Sequence, residues 1–368
     1  MSGVELTHEG RKKRVLAVVE AARHLADPRD PLGIEARRAL PGATGLSNAS
    51  IELSLSRHLE TAIAPGDLEK LVARAVAAPR VHVVLSANVF TGVVRAVALA
   101  VAAAPSVLVR PSSREAVLAP LLRSALAEHG DSAPFELSDR LDPAFGDHVQ
   151  VYGRAETIAA IRASSPAGVT VHGHGPGFGI AFVSAGALEE GGAPVDLATL
   201  AARLSWDIVP FDQRGCLSPR VAFVDGSRED AERFASCLAA ELETRENEVP
   251  RGAVTEEERR VGAIYRQTLQ AIGQYREGKG AAVGLDLDPR AIILPPSGRF
   301  LHVARIAGAG QLSQLLSPYR GAITCVGVGD PARHTVDLAV LAPGARILPF
   351  GDMQRPPLDG PVDLREMV

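Results

Sequence analysis

One cysteine lies in a segment whose neighbours suit a reactive thiol. Cys216 stands in the middle of Phe211–Pro219, which reads FDQRGCLSP. Gly215 and the closing proline impose a defined backbone path, on which backbone amides or a nearby cation could favour the thiolate. A thiolate held in this way can attack a carbonyl carbon. The segment alone leaves a buried, inert thiol as an equal alternative.

A thiol that attacks a carbonyl group also needs donors for the oxyanion that develops. Its own backbone N–H and a side-chain amide would serve. Asn88 ends the apolar run Val81–Asn88, a predicted strand, and is the candidate amide. By position alone, a strand-end or turn residue is the favoured interpretation of Asn88. Cys237 and Cys325 lie in apolar stretches and are predicted core residues, so the sequence indicates neither disulfides nor a zinc site.

A second candidate group follows the predicted strand Ser106–Arg110. Arginine and hydroxyl groups at a strand end can hold the ribose or phosphate of a nucleotide. The alternative is a simple strand exit, with Ser112 or Ser113 capping the next helix, predicted over Ser113–His129. The predicted cofactor-binding residues of this group are Arg110, Pro111, Ser112 and Ser113.

A glycine-rich segment, Gly173–Gly179, follows the predicted strand Val169–His172. Four glycines in seven residues allow a backbone to approach a flat or anionic ligand closely. The apolar strand Ile180–Val183 comes next, so no helix N-terminus is expected there. The candidate cofactor contacts are Gly173, His174, Gly175 and Gly179, and we expect His172 and His174 to form hydrogen bonds rather than to ligate a metal.

Apolar strands alternate with helices along the chain, which predicts an α/β fold with a parallel sheet covered on both faces. Ligands of such sheets bind at the carboxyl ends of the strands, where all three groups lie. A second α/β unit begins near Leu204, and it contains Cys216. Its predicted elements include a helix at Arg228–Glu243, a charged helix at Thr255–Tyr275, and short strands at Val221–Val224, Ala291–Leu294, His302–Ile306 and Ile323–Val328. The predicted domains are a nucleotide-binding domain at 1–203, a catalytic domain at 204–345 and a tail at 346–368 that packs back or forms an oligomer contact.

The composition excludes several other classes. The 368 residues carry a net charge of −4 with the two signs interspersed, which gives no basic surface for nucleic acid. No apolar run reaches the length of a membrane span without charges, prolines or glycines. The N-terminus lacks the apolar core of a signal peptide, so the expected location is the cytoplasm.

Taken together, these segments resemble the acyl-CoA reductase (LuxC-type) family of the aldehyde dehydrogenase superfamily. Val84–Asn88 followed by Arg110–Ser113 is similar to the superfamily's oxyanion asparagine and nucleotide segment. Tyr152–Gly175 resembles the reductase branch, Asp212–Pro219 its nucleophile motif, and Met353–Gly360 its C-terminal end. The resemblance runs from about residue 45 to the end of the chain. It implies an aldehyde-dehydrogenase-like fold, with a Rossmann-type nucleotide-binding domain and an α/β catalytic domain that carries the cysteine.

The resemblance also implies a reaction. A fatty acyl thioester, acyl-CoA or a similar carrier, would be reduced to an aldehyde by NADPH, with NADH as the other possible donor. Cys216 would form the acyl-enzyme, and Asn88 with the Cys216 N–H would stabilise the oxyanion. Aldehyde-oxidising relatives use a glutamate to activate the deacylating water. The corresponding strand here, Ile180–Ser184, has no carboxylate, which favours reduction over hydrolysis.

Two other functions stay open at this point. The same thiol chemistry would serve a reductase of another activated carboxyl group, such as an acyl phosphate. A shortened paralogue that binds acyl groups or a partner subunit without turnover is the candidate from a different class. The resemblance further implies a homo-oligomer, either a dimer or a tetramer.

Overall fold

Continuous runs of valine and leucine form the strands at the centre of two separate sheets. The computed structural model describes residues 6–129, 134–184, 196–272, 274–278, 280–329 and 338–365. The chain divides into two compact units. The first comprises Met1–Pro176 and Pro357–Val362, and the second comprises Gly177–Pro356 and Asp363–Val368.

The first unit contains a five-stranded parallel sheet of order β3-β2-β1-β4-β5. The register places Val84 of the central strand beside Arg110 on one side and Val151 on the other. Because the strands are parallel, their carboxyl ends meet at a single edge. The strands are β1 Arg80–Val84, β2 Ser106–Arg110, β3 Glu136–Leu137, β4 His148–Tyr152 and β5 Thr170–His174.

Helices surround this sheet, with bounds α1 His8–Ala26, α2 Pro31–Thr44, α3 Asn48–Leu53, α4 Pro65–Arg74, α5 Gly92–Ala103, α6 Leu118–His129 and α7 Ala155–Ser164. Helix α2 occupies a stretch that is rich in proline and glycine, so the sequence did not predict a helix there. Pro31 is tolerated in its first turn, where the missing N–H costs no hydrogen bond. The Asp30 carboxylate caps that turn by accepting from Leu32 N at 2.9 Å. Gly45, with φ of 72°, ends the helix in the left-handed conformation that glycine permits.

Helix α5 is buried along its whole length and carries one charge, Arg95, which is 3% exposed. A buried guanidinium requires compensating partners. Its Nε donates to Glu60 at 2.6 Å, and its Nη1 donates to the carbonyl oxygens of Pro357 and Gly360, each at 2.8 Å. These bonds hold residues 357–362 of the tail within the first unit. Residues 366–368 lie outside the described part of the chain.

The second unit contains a seven-stranded sheet of order β12-β11-β6-β7-β10-β9-β8, parallel except for the β8–β9 pair. The strands are β6 Phe178–Ser184, β7 Pro219–Asp225, β8 Tyr275–Gly278, β9 Ala281–Asp286, β10 Phe300–Ile306, β11 Ile323–Val328 and β12 Arg346–Pro349. Its helices are α8 Leu197–Ile208, α9 Arg228–Glu248, α10 Glu256–Ile272 and α11 Ala309–Leu316.

The boundary between the compact units differs from the 203/204 boundary that the sequence indicated. Strand β6 begins at Phe178 and pairs with β7 and β11, so the chain enters the second sheet within the glycine-rich segment. The units therefore divide at 176/177. The nucleotide-binding and catalytic roles assigned to the two halves stay predictions.

One predicted strand of the second unit, Ala291–Leu294, is wrong. Prolines at 289, 295 and 296 bound this stretch and limit ladder formation, and Ile292 packs into the core without strand pairing. The sheet instead uses the hairpin of β8 and β9. The turn of this hairpin includes Gly280, with φ of 77°. Glycines in and near both strands interrupt the apolar pattern that predicts a strand, so the hairpin was not predicted.

The core of the second unit is formed by β-branched and aromatic side chains of its central strands. Its members include Ile180, Val221, Phe223 and Val326, all under 2% exposed. None of the helices in the described parts of the chain is long and apolar enough to cross a membrane. The cytoplasmic location stays a prediction.

Candidate active site

Cys216 lies in the second unit, in a turn between a single 3₁₀ turn at Pro210–Gln213 and the first residue of β7. The N–H of Ser218 donates to the carbonyl oxygen of Gly215 at 3.1 Å and closes the turn around the cysteine. The cysteine residue is partly exposed, whereas Cys325 on β11 is fully buried. Cys237 on α9 is partly exposed as well, so exposure excludes only Cys325 as a thiol that could meet a ligand.

The turn is preceded by three consecutive residues in the left-handed conformation. Phe211, Asp212 and Gln213 have φ values of 54°, 49° and 63°. Each non-glycine residue in this region costs about 1–2 kcal/mol relative to its ordinary conformations. The strain persists only where surrounding contacts determine the backbone, and the side chains at 212 and 213 make those contacts.

The side chains of Asp212 and Gln213 are both buried and hydrogen-bonded. The Asp212 carboxylate accepts from Arg299 Nη2 at 2.8 Å and from the N–H of Gly252 at 3.0 Å. The Gln213 amide donates to the carbonyl oxygens of Pro219 and Phe300 at 2.7 and 2.8 Å, and it accepts from the Phe300 N–H at 2.9 Å. These bonds attach the residues just before the Cys216 turn to strands β7 and β10. We call that turn, Gly215–Ser218, the nucleophile turn.

The far side of the turn is also fixed. The Thr324 hydroxyl on β11 donates to the carbonyl oxygen of Cys216. The N–H of Gly179 on β6 donates to the carbonyl oxygen of Ser218 at 2.9 Å. A Cβ at Gly179 would collide with the Leu217 carbonyl oxygen, so the close approach requires glycine. Gly179 therefore supports the nucleophile turn, which gives it a structural role alongside the predicted cofactor contact.

A segment near the C-terminus completes the turn. Gln354 Nε2 donates to Ser218 Oγ and to the Asp207 carbonyl oxygen, each at 3.1 Å. The buried Asp207 carboxylate accepts from the N–H groups of Gly351 and Met353 at 2.6 and 2.9 Å. Asp207, at the end of α8, therefore fixes the backbone of residues 351–354, from which Gln354 reaches Ser218.

Burial has the largest effect on the ionisation of Cys216. Together with the Asp363 carboxylate it raises the pKa of the thiol to about 11, while Arg365 and the N–H groups of residues 216 and 217 act to lower it. The thiol is therefore neutral at neutral pH, because burial outweighs the groups that could favour the thiolate. The charged neighbour within the motif, Arg214, pairs with Glu258 at 3.2 Å.

The first unit brings the other predicted groups to the carboxyl edge of its sheet. Asn88 follows β1, and the segment Arg110–Ser113 follows the adjacent strand β2. Arg114 Nη2 donates to Asn88 Oδ1 at 3.4 Å, which links the two segments. Because this bond uses the amide oxygen, it does not compete for the amide N–H groups that an oxyanion requires.

The alternative interpretation of Arg110–Ser113, in which Ser112 or Ser113 caps the next helix, does not hold. Helix α6 begins at Leu118, and Glu115 caps it by accepting from the N–H groups of Val117 and Leu118 at 2.8 and 2.9 Å. The Glu115 side chain is 3% exposed. The hydroxyl of Ser112 accepts from the Arg114 N–H at 3.3 Å, which fixes the turn, while Ser113 is exposed.

The glycine-rich segment begins inside a strand rather than after it. Gly173 and His174 are the last residues of β5. A Cβ at Gly173 would lie 2.5 Å from Ile158 Cγ2, so glycine is needed there for α7 to pack on the sheet. His174 stacks on Tyr152, with ring centroids 4.4 Å apart. Gly175 follows at the same edge as Asn88, and the cofactor roles of these residues stay predictions.

Residues 67–368 match the family model described as acyl-CoA reductase (LuxC). The chain belongs to the LuxC family of acyl-CoA reductases. Membership confirms the family expected from the motifs and makes the protein an aldehyde-forming oxidoreductase. No protein with a curated description matches the sequence.

Solved structures similar to this LuxC-family chain are aldehyde dehydrogenases and a related oxidoreductase. An oxidoreductase from Marinobacter aquaeolei has a TM-score of 0.73 at 13% identity, covering 96% of this chain and 81% of its own. An NAD-dependent aldehyde dehydrogenase from Sinorhizobium meliloti has a TM-score of 0.68 at 14% identity, covering 92% and 74%. An indole-3-acetaldehyde dehydrogenase from P. syringae, in complex with NAD⁺, has a TM-score of 0.63 at 14% identity, covering 92% and 76%. The likeness confirms the predicted aldehyde-dehydrogenase-like α/β fold.

Sequence reasoning missed several residues that hold the nucleophile turn of this LuxC-family enzyme, or the residues next to it: Asp207, Arg299, Thr324 and Gln354. Their partners lie far away along the chain, 87 residues for Arg299 and Asp212 and 108 for Thr324 and Cys216. One signal was available. Arg299 stands directly before the strand-like run FLHVARI, where a charge destined for the core needs a buried partner.

Proposed function

We propose that this LuxC-family enzyme reduces a fatty acyl thioester, such as an acyl-CoA, to an aldehyde with hydride from NADPH. The observation that carries the proposal is the placement of Cys216. The residue is partly exposed, on a turn whose backbone is held by Thr324 and Gly179. The turn follows a strained run that is held by Asp212 and Gln213. Rigid placement of a nucleophile removes orientational entropy from the reaction barrier.

In the proposed first half-reaction, the Cys216 thiolate attacks the thioester carbonyl carbon and forms a C–S bond. The carbonyl oxygen becomes an oxyanion, for which we propose the Cys216 N–H and the Asn88 amide as donors. When the oxyanion collapses, the bond to the carrier sulfur breaks and the carrier leaves as a thiolate. The carrier takes up one proton and Cys216 has lost one, so the step is balanced in protons.

In the second half-reaction, a hydride adds to the acyl carbon of the enzyme thioester. The Cys216 sulfur then leaves, the aldehyde is released, and the thiol is restored by a proton. Hydride transfer competes at this step with hydrolysis of the acyl-enzyme by water. The described strand β6, Phe178–Ser184, contains no carboxylate to activate water as a general base. This favours reduction over release of a free acid.

The donor groups at the edge of the first sheet fit a nicotinamide dinucleotide. Arg110, Ser113 and Arg114 are exposed there, and guanidinium and hydroxyl groups suit phosphate and ribose oxygens. A reduced nicotinamide, when bound, supplies the hydride. The complex of the structurally similar P. syringae enzyme with NAD⁺ supports a nicotinamide cofactor. We propose NADPH, with Arg114 placed to add a contact to a 2′-phosphate.

The test is intact-mass spectrometry after mixing the protein with a medium-chain acyl-CoA, and again after adding NADPH or NADH. We expect one acyl adduct, located on Cys216, that disappears with NADPH as aldehyde forms. Cys216→Ser should abolish the adduct because a hydroxyl is far less ionised than a thiol. Cys237→Ser is the matched control, since Cys237 is a partly exposed cysteine on α9 and should leave the adduct unchanged.

Other outcomes would redirect the assignment. An adduct that persists with both nicotinamides would mean that hydride transfer is absent. An adduct formed from an acyl phosphate and not from any acyl-CoA would assign a different activated carboxyl substrate. No adduct from either class, together with no thermal stabilisation by NADPH, would indicate a binding paralogue without turnover.

We also propose that the enzyme is a homo-oligomer, either a dimer or a tetramer, as its resemblance to the superfamily implies. Light scattering of the purified protein measures the mass directly. A single species at the mass of one chain, 38.6 kDa, would overturn this proposal.

A further inference from the structure

The peptide unit between Cys216 and Leu217 is held from the side of β11. The hydroxyl of Thr324 donates to the carbonyl oxygen of this unit. Thr324 is fully buried, and a Cβ at Gly177 would lie 2.5 Å from its Cγ2, so backbone packs closely against the methyl group. The methyl contact fixes the threonine side chain, and the hydrogen bond of its hydroxyl in turn fixes the orientation of the peptide unit.

The N–H of the same peptide unit, which belongs to Leu217, points the other way. This peptide bond is trans, and in a planar trans unit the C=O and N–H bonds are directed to opposite sides. Since the carbonyl oxygen faces Thr324, the Leu217 N–H faces away from β11. Burial raises the pKa of the Cys216 thiol, but the N–H groups of residues 216 and 217 act to lower it, as donors beside the sulfur do.

The polar groups around these two N–H groups are already paired. The Ser218 N–H donates to the carbonyl oxygen of Gly215 at 3.1 Å, and the Ser218 carbonyl oxygen accepts from Gly179 N at 2.9 Å. Within the described parts of the chain, neither the Cys216 N–H nor the Leu217 N–H donates to an oxygen atom. Leu217 is 6% exposed, and the N–H groups of buried residues are nearly always paired. Successive N–H groups in a turn are suited to bind an anion.

We infer that the Leu217 N–H is an additional donor to the oxyanion, next to the Cys216 N–H, and that Thr324 is the positioning residue that orients it. This rests on the proposed role of Cys216 as the nucleophile. When the sulfur attacks, a C–S bond forms and the C=O electron pair moves onto the carbonyl oxygen. A second aligned N–H stabilises the charge that develops there. Hydride addition to the acyl-enzyme places charge on the same oxygen, so the donor acts in both half-reactions.

Covalent geometry keeps this donor near the reacting atoms. The Leu217 nitrogen is bonded to the Cys216 carbonyl carbon, so it stays close to the sulfur in every side-chain rotamer of the cysteine. The oxyanion is carried by the carbon to which the sulfur binds, so a donor beside the sulfur is within reach of it. Asn88 belongs to the first unit, whereas Leu217 and Thr324 belong to the second, as Cys216 does. The Leu217 N–H is therefore a donor that the second unit supplies by itself.

The experiment compares two reactions of Cys216 that differ in their need for an oxyanion. Acylation by p-nitrophenyl hexanoate or by a medium-chain acyl-CoA passes through one, whereas iodoacetamide alkylates the sulfur by displacement of iodide at a saturated carbon. Mass spectrometry of the peptide that contains Cys216 measures both rates. Because the two reactions share the same thiol, their ratio separates oxyanion stabilisation from changes in the exposure or ionisation of that thiol.

The variants act on the hydroxyl and on the N–H separately. Thr324→Val removes the hydroxyl and keeps the shape of the side chain, and Thr324→Ser keeps the hydroxyl. Replacement of the Leu217 amide by an ester, through the α-hydroxy analogue of leucine, removes the N–H and keeps the side chain. The matched control is Thr244→Val on α9, whose hydroxyl also donates to a backbone carbonyl oxygen, that of Ala240 at 3.1 Å.

We expect Thr324→Val and the ester to slow acylation by about 10- to 100-fold, because an oxyanion donor is misaligned or lost. Alkylation should stay within about twofold of the wild-type rate, because an interaction made only with the oxyanion does not affect it. Thr324→Ser and Thr244→Val should leave both rates close to those of the wild type.

Equal losses of acylation and alkylation in Thr324→Val would overturn the inference, because they would mean that the hydroxyl only holds the thiol in place. Unchanged acylation of the ester variant would overturn it as well. The p-nitrophenyl ester separates this inference from the proposed function. Selective losses with that ester, together with no acylation of the wild type by acyl-CoA, would support the donor and reject the thioester substrate. A wild type that neither donor acylates would overturn both.

Discussion

Arg299 Nη2 lies 2.8 Å from the Asp212 carboxylate, and both side chains are at most 1% exposed. The same guanidinium binds Glu246 at 2.6 Å and the carbonyl oxygen of Val249 at 2.7 Å. A buried charge network of this kind contributes little beyond a well-packed apolar core, but it is costly to break. The network stabilises the strained run before Cys216, because Asp212 is the middle residue of that run.

Removal of Arg299 should therefore affect both stability and the nucleophile. Arg299→Met removes the cation that is hydrogen-bonded to the Asp212 and Glu246 carboxylates, and we expect the free energy of unfolding to fall by about 3–5 kcal/mol. Urea unfolding measures that loss. Arg260→Gln, which removes an exposed pair with Glu257, is the control and should change stability little. Equal stability of the Arg299 variant and the wild type would show that the network is dispensable.

Gly179→Ala tests the contact between β6 and the nucleophile turn. The added methyl group would collide with the Leu217 carbonyl oxygen and would lie 3.0 Å from Met353 Cε. We expect a loss of about 1–3 kcal/mol in the free energy of unfolding, because backbone must move to admit the group. Displacement of Leu217 should also slow acylation of Cys216, as measured by intact-mass spectrometry.

The control for that variant is Gly310→Ala in helix α11, where nothing lies within 4 Å of the added Cβ. In a helix this change is neutral or stabilises by about 0.5–1 kcal/mol. If the two alanine variants behave alike, close packing at Gly179 does not hold the turn.

His302 should make the second unit sensitive to acid. Burial lowers its pKa to about 4, and its Nδ1 lies 3.2 Å from the Tyr265 hydroxyl oxygen. In the unfolded chain the imidazole titrates near its usual value of about 6.5. The unfolded state therefore binds more protons between pH 6.5 and 4, and the free energy of unfolding falls as the pH falls through that window.

The full contribution is about 3 kcal/mol for a shift of this size. It is present above pH 6.5 and is lost below pH 4. We expect His302→Gln to lose less stability than the wild type between pH 7 and 4, by urea unfolding at each pH. Parallel curves for the two proteins would contradict the assignment, whatever their absolute stabilities.

Glu115 is expected to stabilise α6 through its side-chain cap. Glu115→Ala leaves the N–H groups of Val117 and Leu118 without their acceptor, at a cost of about 1–2 kcal/mol. Glu115→Gln keeps an acceptor oxygen at the same place and should retain most of the stability. Thermal unfolding distinguishes them, and a larger loss for the glutamine variant would mean that the charge matters more than the bond.

The sequence predicted the parts of the fold that depend on local pattern. Strands β2 and β11 are short apolar runs that were expected at their observed bounds, whereas the strand predicted over Val81–Asn88 ends at Val84 in β1. Cys216 and Asn88 were singled out because a turn or a strand end follows from neighbouring residues. Whether they act in catalysis stays a prediction that the adduct experiment tests.

The missed features depend on partners distant in the chain. Nothing near Asp212 or Gln213 in the sequence signals a left-handed backbone, because the strain is supported by Arg299 and Phe300, both from the start of β10. The sequence left the ionisation of Cys216 open for the same reason. Burial and Asp363 set its ionisation, and neither is visible in the residues next to it.

The bond between Gln354 and Ser218 has a consequence for the order of synthesis. The two residues are 136 positions apart, and Gln354 lies close to the end of the chain. The ribosome therefore completes Cys216 long before it makes the residues that fix its turn. A nascent chain can form the early helices and the five-stranded sheet while still being translated. The nucleophile turn, in contrast, can be completed only after residue 354 has emerged, so a product that ends before this residue would lack the bond that fixes the turn at Cys216.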